Sequence, residues 1–239
     1  MMMMMIRPPP HHRKRRVRQN RFVFSTYLFV SSTVAKHYME RPWLNAQQID
    51  TYGTCFPRGT PLDLGWCRPC VGYVKCNVNA DWRNPEAMSG VSWIARDCWG
   101  RVLYHAREAF TKSRNRIVAE LRCILWAVQS LRDLHVGRMI ISSDCQAAIA
   151  ALDKPWRWPQ YWELLDAIRR TVVESLSIES ITYEVVSCHS NTIARDIAYS
   201  VVKDGRYHSY LASDGPSWLS HRIRSEAQPR YVFRFIPYR

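Results

Sequence analysis

The hydrophobic pattern of this chain changes period partway along, and this change constrains the fold more than any other feature. In the earlier part, Val91, Trp93 and Ala95 recur at a period of two, which is typical of a strand with one face buried. A tight turn at Trp99 and Gly100 separates this strand from the next and indicates a hairpin. Three strands are predicted in this part, over residues 74–80, 90–97 and 101–108.

After residue 115 the apolar side chains recur at helical spacing, and helices and strands then alternate. The stripe predicts a helix over residues 116–136, with Gly137 as the glycine just beyond its C-terminal end. The other predictions are strand 139–142, helix 145–152, loop 155–159, helix 161–176, strand 181–186 and helix 192–202. Strands separated by helices pair in parallel through right-handed crossovers. The sequence thus predicts an α/β fold: a mixed five-stranded sheet, three antiparallel strands followed by parallel ones, with helices on both faces.

Composition divides the chain into four segments. Residues 1–38 hold eight basic residues and no acidic one. Three interpretations stay open: a targeting segment, a basic low-complexity tail for nuclear import or nucleic-acid binding, and unselected sequence at an uncertain start site. A nuclear or organellar localisation is compatible with either a basic tail or a targeting segment. Residues 39–70 are predicted to be a linker, 71–219 the folded domain, and 220–239 a C-terminal tail.

Charge, hydropathy and cysteine spacing exclude several classes of protein. The net charge is +14; beyond residue 38 there are 26 basic and 20 acidic residues, which suits either a polyanion partner or a solvated basic surface. Apolar runs stay below the roughly 18 residues that span a bilayer, so no membrane role is expected. The eight irregularly spaced cysteines indicate a reducing compartment, and the pair Cys67 and Cys70 has no partner pair at zinc spacing.

Five motifs, in order, resemble the ribonuclease H-like domain that plants carry as relatives of retroelement reverse transcriptase genes. They are VKCNVNADW at 74–82, SWIARDCWGRVL at 92–103, AEL at 119–121, ISSDC at 141–145 and N-x-x-A-x-x-I-A at 191–198. The resemblance covers about two-thirds of the chain. It implies the ribonuclease H-like fold and hydrolysis of the RNA strand of RNA–DNA hybrids with two Mg²⁺ ions.

In the family, four carboxylates hold the two ions. By resemblance Glu120 matches the helix glutamate and Asp144 the aspartate that follows the fourth strand. The other two positions are replaced, by Asn79 on the first strand and by Arg195 on the last helix. We therefore expect at most one weakly held Mg²⁺ or Mn²⁺, on Glu120 and Asp144.

Three further residues lie near the replaced positions. Asp81 faces the same side of its strand as Asn79 but lies about 6–7 Å further along. Asp196 follows Arg195, but one helical step turns a side chain by about 100°. Each is a candidate substitute for a lost aspartate. His189 falls near where some ribonucleases H keep a histidine for proton transfer, and an exposed loop histidine is the simpler interpretation.

Basic side chains suggest that nucleic-acid binding can persist without efficient hydrolysis. Arg195 is predicted to hold a phosphate directly. Further predicted contacts are Arg96, Lys112, Arg114 and Arg116. The expected partner is an RNA–DNA hybrid or RNA, and the expected state is a monomer. Three hypotheses stay open: a hybrid-specific ribonuclease, a non-cutting binding module, and a structural relic.

Overall fold

Strands and helices begin and end close to where the hydrophobic pattern changes period. The computed structural model describes residues 65–228, so the predicted tail, most of the linker and residues 229–239 lie outside the described residues. The strands are β1 Val74–Asp81, β2 Ser89–Arg96, β3 Val102–Phe110, β4 Arg138–Ser143, β5 Ser180–Val185 and β6 Tyr210–Ser213. The α-helices are α1 Arg116–Asp133, α2 Gln146–Asp153, α3 Trp162–Val173, α4 Thr192–Lys203 and α5 Ser220–Glu226.

The strands form one mixed sheet in the order β5-β4-β1-β2-β3-β6. Strands β1, β2 and β3 pair antiparallel, and β4 and β5 join in parallel beside β1, as predicted. The prediction of five strands was wrong by one, because β6 adds antiparallel to the free edge of β3. Its four residues are too few to show a period, and they form a strand because β3 supplies the hydrogen-bond partners.

Both faces of the sheet are covered, which explains why β2 is buried along its whole length. Val91 and Trp93 pack with α1 in the larger core, whereas Ile94 points to the opposite face and packs with α4 and α5. At Gly90 a Cβ atom would lie 2.1 Å from the backbone oxygen of Ala198, so the glycine lets α4 approach the sheet closely. None of the helices in residues 65–228 is long and apolar enough to cross a membrane.

Folded residues extend past both predicted limits of the domain, 71 and 219. On the N-terminal side Trp66 is buried, and its indole donates a hydrogen bond to Asn77 of β1. On the C-terminal side α5 buries Ile223 and pairs Glu226 with Arg96. Each segment is too short to show a period of its own, so the sequence pattern did not reveal that they pack on the domain.

Helix α1 ends at Asp133, three residues before the predicted end at 136, and a different residue terminates it. Gly137 was expected to adopt the left-handed backbone conformation, but His135 does so, with a φ of 57°. Two bonds close the helix, from the His135 amide to the Arg132 carbonyl and from the Val136 amide to the Leu131 carbonyl. This is the Schellman arrangement, in which glycine is favoured because a Cβ atom is disfavoured at positive φ.

Replacing His135 by glycine is expected to stabilise the domain. The change His135→Gly removes the disfavoured Cβ and should raise the free energy of unfolding by roughly 0.5–1 kcal/mol. His135→Ala, which removes the ring but keeps the Cβ, is the matched control and should give no such gain. Urea unfolding of the three proteins measures the difference, and equal stability of the glycine and alanine variants would contradict the assignment.

Candidate functional site

The carboxyl ends of β1 and β4 lie side by side, because the two strands pair in parallel with Asn77 opposite Ser142. Asn79 at the end of β1 therefore lies next to Asp144, the first residue after β4. Helix α4 starts against the same edge, so Arg195 in its first turn reaches Asp144. Ligands of α/β sheets bind at this kind of edge.

Asp144 is enclosed by four donors from three other elements and the loop before α4, and its side chain is only 3% exposed. Arg195 Nη1 lies 2.7 Å from Oδ2, and Arg116 Nη2 lies 3.3 Å from Oδ1. The amides of Asn79 and Asn191 also donate to Oδ1, at 3.1 Å and 3.4 Å. Two guanidinium groups surround one carboxylate, so this cluster carries a net charge of +1.

Glu120, on the buried face of α1, bridges β1 and β4. Its Oε2 accepts a hydrogen bond from the Ala80 amide at 2.9 Å, and its Oε1 accepts one from the Ser143 hydroxyl at 2.5 Å. Burial raises the pKa of Glu120 from its ordinary value of 4.5 to about 7, although the bond from Ser143 opposes the shift. Burial therefore favours the neutral form of Glu120, and both of its oxygens have protein partners.

The donor set at this edge does not fit a pair of magnesium ions. In proteins Mg²⁺ is held by one or two carboxylates together with waters and substrate phosphates, but Asn79 directs its amide nitrogen toward Asp144, and Arg195 places a cation against the same carboxylate. Within residues 65–228, no group of three or more His, Cys, Asp and Glu side chains is arranged to hold a metal ion. The predicted metal ligands Glu120 and Asp144 both accept hydrogen bonds from protein donors, and metal binding by them stays a prediction.

A chain of buried asparagines, which was not predicted from the sequence, continues from Asp144 into the protein. The Asn191 amide donates to Asp144 and, at 2.8 Å, to the Val78 carbonyl. Asn77 donates to the Asn191 side-chain oxygen at 3.1 Å and accepts a hydrogen bond from the Trp66 indole at 2.8 Å. The available signal was a second asparagine two residues before Asn79 on a buried strand, since buried amides require partners.

The candidate substitutes for the lost aspartates are paired elsewhere. Asp81 forms an ion pair with Arg83 at 3.2 Å, and Asp196 forms one with Arg222. Their role as substitutes for the lost aspartates stays a prediction. His189 is exposed in the loop before α4, with Nδ1 3.6 Å from the Cys188 sulfur.

The prediction that Arg96 contacts nucleic acid was wrong, because its side chain is buried. The guanidinium stacks 3.7 Å from the centre of the Trp66 ring and pairs with Glu226 at 2.8 Å. Burial lowers the pKa of Arg96 to about 10, and the adjacent carboxylate limits the fall, so the group stays charged. Arg96 is therefore a structural cation that joins the two ends of the described chain.

The other predicted basic residues lie at the surface. Arg116 belongs to the Asp144 cluster, and its side chain is about half exposed. Lys112 pairs with the exposed Glu86, and Arg114 lies 5.1 Å from the centre of the Tyr161 ring. Their contact with nucleic acid stays a prediction.

Comparison with known proteins places this geometry in a family. A model of the reverse transcriptase-like family matches residues 77–201, which include most of β1, the Asp144 cluster and most of α4. A protein phosphatase 2C-like protein from Arabidopsis thaliana is 54% identical over 46 residues. That match spans 19% of each chain, so the chain covers only about a fifth of the length of this relative.

Solved structures share the fold at low sequence identity. RNase H1 from the archaeon Halobacterium salinarum aligns with 55% of this chain and 98% of its own, at a TM-score of 0.50 and 16% identity. LC11-RNase H1, solved in complex with an RNA/DNA hybrid, aligns with 56% of this chain and 99% of its own, at a TM-score of 0.50 and 12% identity. The family match covers more than half of the chain, and these structures have the same fold. The chain therefore belongs to the reverse transcriptase-like family and has a ribonuclease H-like fold.

Proposed function

We propose that this domain binds nucleic acid, with an RNA–DNA hybrid as the preferred ligand, through arginines that occupy the family's metal site, and that it cuts hybrids weakly or not at all. The observation that carries the proposal is the 2.7 Å ion pair between Arg195 and Asp144. In the family, the corresponding aspartates hold cations that contact the scissile phosphate. In this chain the guanidinium of Arg195 is the cation next to Asp144, in place of a metal ion.

Electrostatics favours a phosphate over a metal ion at this edge. At 4 Å and an effective dielectric constant of about 20, Arg195 repels each unit of metal charge by roughly 4 kcal/mol, and solvent reduces this because the side chain is half exposed. The same field attracts a phosphate. Arg195 and Arg116 each give Asp144 one donor of the five that a guanidinium has, which leaves donors for phosphate oxygens.

The state of Glu120 supports the same proposal. Each oxygen of the buried Glu120 already accepts a hydrogen bond from the protein, so this side chain has partners without a metal ion. Its contacts with Ala80 and Ser143 instead join β1 to β4. The hybrid as ligand follows by analogy from LC11-RNase H1, which was solved with one and shares the fold. A family member that cuts is the competing hypothesis, and Asn79 and Arg195 argue against it.

Removing either arginine should weaken hybrid binding without any metal present. Arg195→Ala and Arg116→Ala are each expected to reduce affinity by roughly 10-fold, the low end for a charge-assisted hydrogen bond, because both side chains are half exposed. Each should also lower the slope of log affinity against log salt by about one. Fluorescence anisotropy in EDTA measures both. Arg138→Ala is the matched control, because Arg138 is similarly exposed and paired, with Glu179, but lies at the opposite end of β4.

Asp144→Asn tests the same binding site, and here the expected change in hybrid affinity is an increase instead of a decrease. Removing the carboxylate charge releases two guanidinium groups, so hybrid affinity should increase. A domain that needed a metal on Asp144 would instead lose affinity in magnesium, and that result would contradict the proposal.

Restoring the lost acids should restore cleavage. In Asn79→Asp, Arg195→Asp, a carboxylate replaces the amide that lies 3.1 Å from Asp144, and the competing cation is gone. We expect labelled hybrid to be cut in Mg²⁺ or Mn²⁺ by the double variant but not by the wild-type chain, with the two single variants as controls. Wild-type cleavage at the rate of an active ribonuclease H assayed alongside would overturn the proposal.

Glu120→Gln should make the domain more stable above neutral pH. The raised pKa of Glu120 means that its contribution to stability is complete below about pH 4.5 and is lost as pH rises through about 7. Glutamine keeps the shape without the buried charge, so the variant should match wild type near pH 4.5 and exceed it by about 1–3 kcal/mol at pH 8. Unfolding at both pH values measures this. Glu179→Gln, at an exposed position, should show no such change, and a loss of stability in Glu120→Gln at pH 8 would contradict the assignment.

A further inference from the structure

A second feature of the surface lies on the outer side of α4, away from the sheet. A pocket of about 400 Å³ opens between the C-terminal half of α4 and the 3₁₀ turn Ser217–Leu219. Its lining includes Tyr199 and Lys203 from α4, Arg206 from the following loop, and Trp218 from the turn. The volume lies within the range of pockets that hold small organic groups.

The pocket presents an aromatic surface to solvent. Trp218 is 51% exposed although it lies beside a folded helix. Tyr199 is 43% exposed, and two cations lie over its ring: Arg83 at 5.5 Å and Lys203 at 5.1 Å from the centre. Since Arg83 and Lys203 already lie over the Tyr199 ring, Trp218 is the aromatic side chain of the pocket on which a ligand can stack.

The pocket lining holds two basic and two acidic side chains, so a phosphate contact in it depends on Lys203. No ion pair within residues 65–228 involves Lys203, whose amine rests on the Tyr199 ring instead of on a carboxylate. Arg206 pairs with Asp204 at 3.2 Å but remains about 40% exposed. Asp196 and Asp204 also line the pocket, and charged groups of both signs exclude a purely apolar ligand.

The pocket and the Asp144 cluster lie along one helix. Arg195, Tyr199 and Lys203 follow each other at intervals of four residues, which places them along one side of α4. At 1.5 Å per residue, Lys203 lies about 12 Å along the axis from Arg195. A nucleic-acid strand whose phosphate is bound at Arg195 and that follows α4 therefore passes Tyr199 before it reaches Lys203 and Trp218.

We propose that the pocket binds a single-stranded extension of the nucleic acid held at the Asp144 cluster, with one base stacked on Trp218 and a phosphate on Lys203. This inference rests on the proposed function, since it assigns that site a neighbouring subsite for unpaired nucleotides. Stacking of a base on an exposed aromatic ring beside a basic group is how proteins hold single strands without reading their sequence. An acidic peptide would use Lys203 but would leave the Trp218 ring face without a ligand.

The test compares a blunt RNA–DNA hybrid with the same hybrid carrying a short single-stranded overhang, of RNA in one arm and DNA in the other. With the full chain, the overhang should tighten binding by about 10-fold, in line with one stacked base. Trp218→Ala should abolish that gain while binding of the blunt hybrid stays unchanged. Trp218→Phe keeps an aromatic ring and should retain most of the affinity gained from the overhang. Lys203→Gln should lose part of that gain.

The matched control is Trp99→Ala, because Trp99 is similarly exposed at 58% but lies on the β2–β3 turn, and this variant should keep the whole gain. A gain with either kind of overhang supports the pocket, and the stronger arm identifies the preferred sugar. The inference is overturned if the blunt hybrid binds and neither overhang adds affinity, or if Trp218→Ala keeps the gain. Failure of the blunt hybrid to bind, with Trp218-dependent binding of a free single strand, would reject the proposed function and leave the pocket standing.

Discussion

The architecture of the sheet edge depends on the carboxylate of Asp144, which is almost fully buried and must be compensated. Four acids at one edge repel each other unless cations are present, so a domain of that design binds metal at the cost of its own stability. In this chain Arg195, Arg116 and two amides perform the compensation. The same contacts connect β1, α1 and the start of α4 to the end of β4, so the edge is held together without a metal ion.

A polar network extends this compensation across the sheet to both ends of the described chain. Hydrogen bonds connect Asp144 to Asn191, Asn191 to Asn77, and Asn77 to the indole of Trp66. The Trp66 ring in turn lies over Arg96, which is paired with Glu226. Breaking a buried pair of this kind by removing one partner typically costs about 3–5 kcal/mol, because the other charge is left buried. The segment before β1 and helix α5 are therefore structural parts of the domain.

The sequence predicted the long elements well because their periods of two and 3.6 are set by burial on one face. The sequence did not predict elements whose position depends on a contact distant in sequence. Strand β6 pairs with the edge of β3, α5 is held by the ion pair between Glu226 and Arg96, and Trp66 is held by its hydrogen bond to Asn77. Arg96 shows the reason most clearly, since an arginine in a strand pattern suggests a surface until its stacking and ionic partners are known. At the site, motif spacing located Asn79, Glu120, Asp144 and Arg195, but only the structure revealed which atoms they contact.

The contacts of Arg195 also bear on whether the altered site is a relic. Both replacements donate to the carboxylate of Asp144, in addition to the donors from Arg116 and Asn191. Stability alone accounts for this much, since a satisfied buried carboxylate is favoured whatever the domain does. Stability does not require the other half of the arrangement: Arg195 and Arg116 keep nearly half of their side-chain surface in solvent, at the edge where ligands of such sheets bind. An amide or a hydroxyl would satisfy Asp144 without presenting a cation there, and the charge that remains at the edge is what a polyanion would recognise.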